Sequence, residues 1–266
     1  MNRAPRIEGY RMPETSYRFF RSLTGSPGLR MLLDIVFPPL CHHCRRFIPG
    51  SGSVLICREC LSTAKAVGSP LCTVCGVPFL TEGGTDHACG SCLAKPPPFD
   101  AARAATLHEG AVRELIHRFK YNGRMQVRRS LALLTAERLA GFAAESGAEL
   151  IIPVPLHARR IRQRGFNQAI LLGELLGREW CLPISRHLLQ RIRWTEPQVT
   201  LSGAERAANV RGAFAVAEPA RVKGRRLMLV DDVLTTGSTV AECSRVLKRA
   251  GASAVFVATV ARVGMD

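Results

Sequence analysis

Two adjacent aspartates followed by a hydroxyl-rich turn are the residues whose types and spacing point most clearly to chemistry. Asp231 and Asp232 come directly after the apolar run 227–230, and a turn of threonine, glycine and serine follows at 235–239. Ligands of open α/β sheets bind at the carboxyl ends of strands, and free N–H groups at a helix amino terminus bind anions. The carboxylates can accept hydrogen bonds from vicinal sugar hydroxyls while the turn holds a phosphate. The alternative is an ordinary strand and capped helix without a ligand.

Eight of the ten cysteines form a second chemical pattern, because they fall into four C-x-x-C pairs. The pairs are Cys41/Cys44, Cys57/Cys60, Cys72/Cys75 and Cys89/Cys92, with 12, 11 and 13 residues between consecutive pairs. Two such pairs supply four thiolates in a tetrahedral arrangement, which suits a structural zinc ion. The sequence therefore predicts two zinc sites that are closed by four thiolates and carry out no metal chemistry.

The pairing within these sites has two solutions. Sequential pairing joins the first two C-x-x-C pairs and the last two, whereas interleaved pairing makes a cross-brace, and we favour the sequential solution. Disulfides, a thioredoxin-like redox site and an iron–sulfur cluster fit the spacing and the expected compartment less well. The nearby His42, His43 and His87 are not expected to be ligands, and Cys181 and Cys243 are interpreted as buried thiols.

Composition divides the chain into three parts. Residues 1–30 are interpreted as a basic, flexible tail, residues 31–98 as the double zinc-ribbon module, and residues 99–266 as the second domain, since three prolines at 96–98 form a stiff spacer. Helices are predicted at 111–121, 126–145, 166–180 and 238–250. Strands are predicted at 149–154, near 184–190, and at 213–217, 226–231 and 253–261. This alternation indicates an α/β fold, an open parallel sheet flanked by helices.

The formal net charge of +16 predicts attraction to polyanions such as nucleic acid, anionic lipid or phosphorylated ligands. The longest apolar stretches are too short to span a bilayer. No apolar segment with a small-residue cleavage site follows the amino-terminal arginines. We therefore expect a cytoplasmic protein without a membrane span.

The stretch 227–239, LMLVDDVLTTGST, resembles the motif with which type I phosphoribosyltransferases bind phosphoribosyl pyrophosphate (PRPP). That resemblance implies that Asp231 and Asp232 are catalytic and bind the ribose hydroxyls. It also implies that the 5-phosphate is bound by Thr235, Thr236, Gly237, Ser238 and Thr239. Pro153-Val154-Pro155 resembles the pyrophosphate loop of glutamine PRPP amidotransferases, so Val154 and Pro155 are assigned to that loop.

The polar segment 191–209 resembles the mobile lid that closes over PRPP in the same enzymes. The matching positions are Thr195, Gln198, Leu201, Arg206 and Asn209, of which Gln198 and Arg206 are the principal lid candidates. A lid would exclude water from an oxocarbenium-like transition state. The alternative is a plain surface loop.

Together with the cysteine pairs, the segments PVPLH, RGFNQA and VDDVLTTGST resemble the ComF family over about residues 31 to 264. Phe119-Lys120-Tyr121-Asn122-Gly123 matches the family's F-K-Y-x-G segment. The resemblance implies a type I phosphoribosyltransferase fold with an amino-terminal zinc-ribbon module, and a link to competence and DNA uptake. It does not fix a reaction.

Three hypotheses follow for function. The first is an enzyme that transfers phosphoribosyl from PRPP to an acceptor, with Mg²⁺ neutralising the departing pyrophosphate. Its acceptor pocket would be a hood formed by residues 99–125. The second is a non-catalytic sensor of PRPP or a nucleotide that also binds single-stranded DNA or competence proteins. In the third, the ribbons only stabilise the domain and cover a sheet edge.

The two-ribbon interpretation predicts about two zinc ions per chain, because each ion requires four thiolates. Elemental analysis of the purified protein measures the metal-to-protein ratio directly. A ratio near one or zero would contradict the prediction.

Overall fold

The computed structural model describes residues 38–48, 54–81, 83–121, 125–195 and 203–264. The predicted basic tail lies outside these ranges. The helices, numbered α1 to α9 in chain order, are Arg58–Ser62, Gly90–Ala94, Gly110–Tyr121, Val127–Arg138, Ala140–Ser146, Ala158–Arg164, Gln168–Glu179, Gly203–Val210 and Ser238–Arg249. The strands, β1 to β6, are Ala101–Leu107, Leu150–Pro153, Leu189–Arg191, Phe214–Val216, Arg226–Leu234 and Ala254–Arg262.

Four of these strands form a parallel sheet in the order β1-β6-β5-β2. Strand β5 has a hydrogen-bonded neighbour on each side, and its residues 227–230 are buried. Such continuous apolar runs are typical of parallel strands that are covered on both faces. The predicted open parallel sheet is confirmed.

Alternate residues of β5 pack into two different hydrophobic layers. Met228 and Val230 lie in a cluster with residues of α3, α4 and α7. Leu227 and Leu229 lie in a second cluster with residues of α9. Because side chains alternate along a strand, helices on both faces are needed to bury this apolar run.

Strands β3 and β4 form a separate antiparallel pair in which Arg191 lies opposite Phe214. Between them run residues 192–213, which include most of the segment predicted to be a lid. The pairing brings the two ends of this segment together. Within it, α8 is a helix that the interpretation as an aperiodic loop did not predict.

Several predicted elements are corrected by the structure. The helix predicted at 126–145 is two helices, because Leu139 has a non-helical backbone (φ −106°, ψ 14°). In the strand predicted near 184–190, only Leu189–Arg191 pairs as a strand, while Ile184 makes a single bridge to Ile151. Cys181 is exposed rather than buried, whereas Cys243 is fully buried as expected.

The hood predicted at 99–125 is also wrong in part, because Ala101–Leu107 is the edge strand of the main sheet. Alanine has a low intrinsic preference for strands, so this alanine-rich segment gave no clear strand signal. Its small side chains are nevertheless buried at alternating and consecutive positions. Within residues 99–125, α3 is the element that remains a candidate for the predicted hood.

The cysteine-rich module covers the free edge of β1. The Ala102 N–H donates to the Val74 carbonyl at 2.7 Å, and the Leu107 N–H donates to the Lys65 carbonyl at 2.9 Å. Ala66 and Thr106 form an antiparallel bridge between these two bonds. An uncovered edge would invite pairing with other chains. The hypothesis that the ribbons cover a sheet edge describes these contacts well.

Arginine side chains of the second domain bind backbone carbonyls of the cysteine-rich module. The donor–acceptor pairs are Arg118 with His42 and His43, Arg138 with Ala64, Arg103 with Thr73, and Arg262 with Cys75. Part of the large positive charge thus takes part in hydrogen bonds between the cysteine-rich module and the rest of the protein.

Among the residues that the structure describes, no helix combines the length and the apolar character needed to cross a membrane.

Candidate functional site

The cysteines assemble into two clusters of four. One consists of Cys41, Cys44, Cys57 and Cys60, and the other of Cys72, Cys75, Cys89 and Cys92, with the sulfur atoms of each cluster within 4.8 Å of one another. Sulfur atoms from different C-x-x-C pairs lie 3.6 Å apart at Cys44 and Cys57, and 3.8 Å apart at Cys75 and Cys89. The sequential pairing is confirmed.

The electrostatics of both clusters suit a bound cation. Burial opposes ionisation of Cys41, but backbone N–H donors, including that of Cys57 at 3.3 Å, lower its pKa to about 6. The same balance lowers the pKa of Cys72 to about 6. Burial and neighbouring sulfurs raise the pKa of Cys60 and Cys92. Four crowded thiols cannot all ionise alone, whereas a zinc ion stabilises all four thiolates.

The carboxylate pair lies within β5, near its carboxyl end. Asp232 is 7% exposed and Asp231 is partly buried. The Asp232 N–H donates to Asp231 Oδ1 at 2.9 Å. Burial, and then the neighbouring Asp232 charge, raise the pKa of Asp231 to about 7. The structure therefore places both predicted carboxylates near the carboxyl ends of the parallel strands, where ligands of open α/β sheets bind.

Lys120 is a site residue that the sequence pattern alone did not identify. Its Nζ lies 2.8 Å from Asp232 Oδ1, with only 23% of the lysine side chain exposed. It is contributed by the last turn of α3, within the F-K-Y-x-G match, which was the only signal that could have pointed to it. His108, at the end of β1, lies beside this pair. Burial, Lys120 and Arg113 lower the pKa of His108.

The turn after β5 has the form expected of a phosphate site. Thr235 and Thr236 are exposed, and Gly237 has φ +77°, a left-handed conformation that favours glycine. The Thr236 and Ser238 hydroxyls lie 2.9 Å apart, and α9 begins at Ser238. Thr239 follows in the first turn of α9, so hydroxyl groups and free helix N–H groups lie close together in this turn.

The predicted pyrophosphate loop follows β2 directly. Its Val154 is buried, and its N–H donates to the Val230 carbonyl at 2.9 Å. Asn167 donates from Nδ2 to the Val154 carbonyl at 3.0 Å while its Oδ1 caps α7 by accepting from the Ala169 N–H. The RGFNQA segment thus holds the loop at Val154, and the next residue, Pro155, is partly buried.

A cluster of basic and aromatic side chains lies beyond this loop. The guanidinium of Arg159 lies 4.8 Å from the ring centre of Trp194, and that of Arg160 lies 5.7 Å from it. The ring of His157 meets the same indole edge-on at 5.4 Å. The arginines belong to α6, a helix that is absent from the elements predicted from the sequence.

The described ends of the predicted lid are held in place. Thr195 is buried and accepts a hydrogen bond from Arg191. Arg193 donates to the carbonyls of Asn209 at 2.9 Å and Arg211 at 2.8 Å. Gln198 and Leu201 lie outside the described residues, and Arg206 belongs to α8 without a described side chain. Their role as lid residues stays a prediction.

A parallel sheet with a carboxylate pair and a hydroxyl-rich turn at the carboxyl end of β5, joined to two four-cysteine clusters, defines an α/β protein with an amino-terminal zinc-binding module. A family model described as "Double zinc ribbon domain" matches residues 32–93. "DNA utilization protein YhgH" of Escherichia coli K12 is 36% identical over 226 residues, which cover 84% of this chain and 96% of that protein. "Competence protein F" of Haemophilus influenzae is 34% identical with the same coverage.

The chain therefore belongs to the ComF family, which includes these proteins. Among solved structures, a glutamine PRPP amidotransferase from B. subtilis aligns with 54% of this chain and 30% of its own, at 20% identity and a TM-score of 0.34.

The raised pKa of Asp231 predicts a pH-dependent effect of Asp231→Asn. A carboxyl whose pKa rises on folding binds its proton more tightly in the native chain, so wild-type stability falls as pH rises from the ordinary value of 3.8 through about 7. Asp231→Asn has no carboxyl at this position and does not lose stability in this way. In urea unfolding, its free energy of unfolding relative to wild type should therefore rise by about 1 kcal/mol from pH 6 to pH 8.

Asp86→Asn is the matched control. The Leu71 N–H, at 2.9 Å, lowers the pKa of Asp86, so this carboxyl is ionised in both states across that pH range. Asp86→Asn should therefore change the free energy of unfolding by the same amount at pH 6 and at pH 8. A pH-independent effect of Asp231→Asn would contradict the assigned environment.

Proposed function

We propose that the protein binds PRPP or a closely related phosphosugar at the carboxyl edge of β5, and that it transfers the phosphoribosyl group to an acceptor with release of pyrophosphate. The proposal depends on one observation: a strand–turn–helix unit carries two carboxylates and, a few residues further on, a group of hydroxyls and helix N–H groups. Asp231 and Asp232 offer carboxylate oxygens, while the turn at 235–239 offers hydroxyls and helix N–H groups. A phosphosugar presents complementary groups, a vicinal diol and a phosphate.

The surrounding residues support transfer as well as binding. Val154 and Pro155 would face the pyrophosphate. Arg191 interacts electrostatically with Asp231 and Arg160, which places its positive charge near the carboxylate pair. From there it would balance negative charge on the pyrophosphate. Mg²⁺, when bound with the pyrophosphate, would neutralise negative charge on the leaving group. The carboxylates of the pair would hold the ribose and stabilise positive charge that develops on its ring. The lid candidates Gln198 and Arg206 would exclude water from the reacting carbon.

A second candidate function is favoured by the Trp194 cluster. With Arg159 and Arg160 over its ring, Trp194 places an aromatic side chain beside cations that can contact phosphates. Such combinations bind single-stranded nucleic acid with little sequence preference. The names of the two relatives refer to DNA utilization and competence. In this account the chain is an adaptor in DNA uptake, and the phosphosugar pocket senses PRPP without turnover.

Calorimetric titration with PRPP, with and without Mg²⁺, tests the first function. Wild-type protein loaded with zinc should bind PRPP. The double variant Asp231→Asn/Asp232→Asn should lose at least about tenfold in affinity, because neutral amides replace charged acceptors of two sugar hydroxyls. Glu59→Gln, an exposed carboxylate on the first ribbon paired with Arg46 at 2.6 Å, serves as the control and should bind like wild type.

The same proteins separate the two functions. Equal PRPP affinity of the double variant and wild type would overturn the site assignment. A DNA adaptor should bind a single-stranded oligonucleotide with steep salt dependence, and should bind it equally well in the double variant. Pyrophosphate release from PRPP in the presence of an acceptor distinguishes transfer from sensing.

A further inference from the structure

The last turn of α3 carries a lysine whose role the carboxylate–turn pattern does not explain. Lys120 Nζ lies 2.8 Å from Asp232 Oδ1, and Asp232 has only 10% of its side chain exposed. Breaking such a shielded pair leaves an uncompensated charge, which is costly. The contact therefore fixes both partners.

The backbone on either side of Lys120 is anchored to different parts of the protein. Phe119 is completely buried, and its ring stacks on Phe166 at 5.5 Å between ring centres. Arg118 donates to the carbonyls of His42 at 2.6 Å and His43 at 3.0 Å, between the first two zinc-ligand candidates. Packing and the first ribbon thus hold Lys120 in place beside the carboxylates.

Charged groups from three elements interact with Asp231. Asp232 of the same strand raises its pKa, while Lys120 from α3 and Arg191 from β3 lower it. The buried Cys243 of α9 lies close enough to interact with Asp231, and His108 at the end of β1 faces Lys120 and Asp232. Lys120 is the cation in direct contact with the carboxylate pair among the described ion pairs.

We propose that Lys120 is a positioning and specificity residue of the phosphosugar site: a built-in counter-ion that orients Asp232 and keeps the carboxylate pair from taking up a bare divalent cation. Carboxylates are oxygen ligands that Mg²⁺, Mn²⁺ and Ca²⁺ prefer, and the charges of Asp231 and Asp232 are close enough to interact. With one negative charge already compensated, the pair favours a neutral diol over a dication. This inference rests on the proposed function for the identity of the preferred ligand.

The test compares zinc-loaded wild type with Lys120→Met. Manganese binding, measured without PRPP by electron paramagnetic resonance, should be at least about tenfold tighter in Lys120→Met because the carboxylate pair has lost its cation. PRPP affinity should fall by at least about tenfold. The pH at which PRPP affinity rises, set by ionisation of Asp231 near 7, should move to higher values.

Two further variants serve as controls. Lys120→Arg keeps the charge and should bind manganese as weakly as wild type. Lys248→Met removes a lysine from another 2.8 Å lysine–aspartate pair, with Asp100 just before the start of β1, at the opposite edge of the sheet. It should match wild type in manganese affinity, PRPP affinity and pH profile. Should Lys120→Met fail to retain zinc, Lys120→Gln takes its place in every comparison.

The outcomes separate the two claims. Tighter manganese binding by Lys120→Met in a protein that binds no PRPP would support the counter-ion role and refute the proposed ligand. Unchanged manganese affinity and an unchanged pH profile in Lys120→Met, alongside normal PRPP binding by wild type, would overturn the counter-ion role and leave the proposed function intact.

Discussion

The burial of β5 between β6 and β2 is the constraint on which the site depends. Hydrogen bonds on both sides of the strand, together with apolar layers on both faces, fix residues 227–230. The strand then continues through two carboxylates without leaving the sheet. Because the register is fixed by a buried apolar run, Asp231 and Asp232 are presented at one defined place at the carboxyl edge. β5 ends at Leu234 and α9 begins at Ser238, so the turn lies a few residues beyond the two carboxylates.

The ribbons complete this architecture from the outside. They cover the edge of β1 and are bound through their carbonyls by arginines of the second domain. Cys41, Cys57 and Cys60 belong to the same hydrophobic cluster as Leu115 and Phe119 of α3. The cysteine module and the domain that carries the carboxylate pair are therefore parts of one packed structure, and α3, the helix that carries Lys120, contacts both.

Local sequence signals were sufficient where one segment contains the whole feature. The four C-x-x-C pairs and the strand–Asp-Asp–turn–helix unit are of this kind, and the structure has both in the predicted form. Features that arise from tertiary contacts were missed. The alanine-rich β1 is a strand because β6 and the ribbons pair with it, and the proximity of Lys120 to Asp232 depends on how α3 packs. Neither relation can be derived from spacing along the chain.

A crystal structure of the zinc-loaded protein with bound PRPP tests the central claim most directly. We expect the ribose diol within hydrogen-bond distance of Asp231 and Asp232, and the 5-phosphate in the turn formed by residues 235–239. Lys120 should remain beside Asp232. A phosphosugar bound elsewhere, or a metal ion seated directly between the two carboxylates in place of the diol, would contradict it.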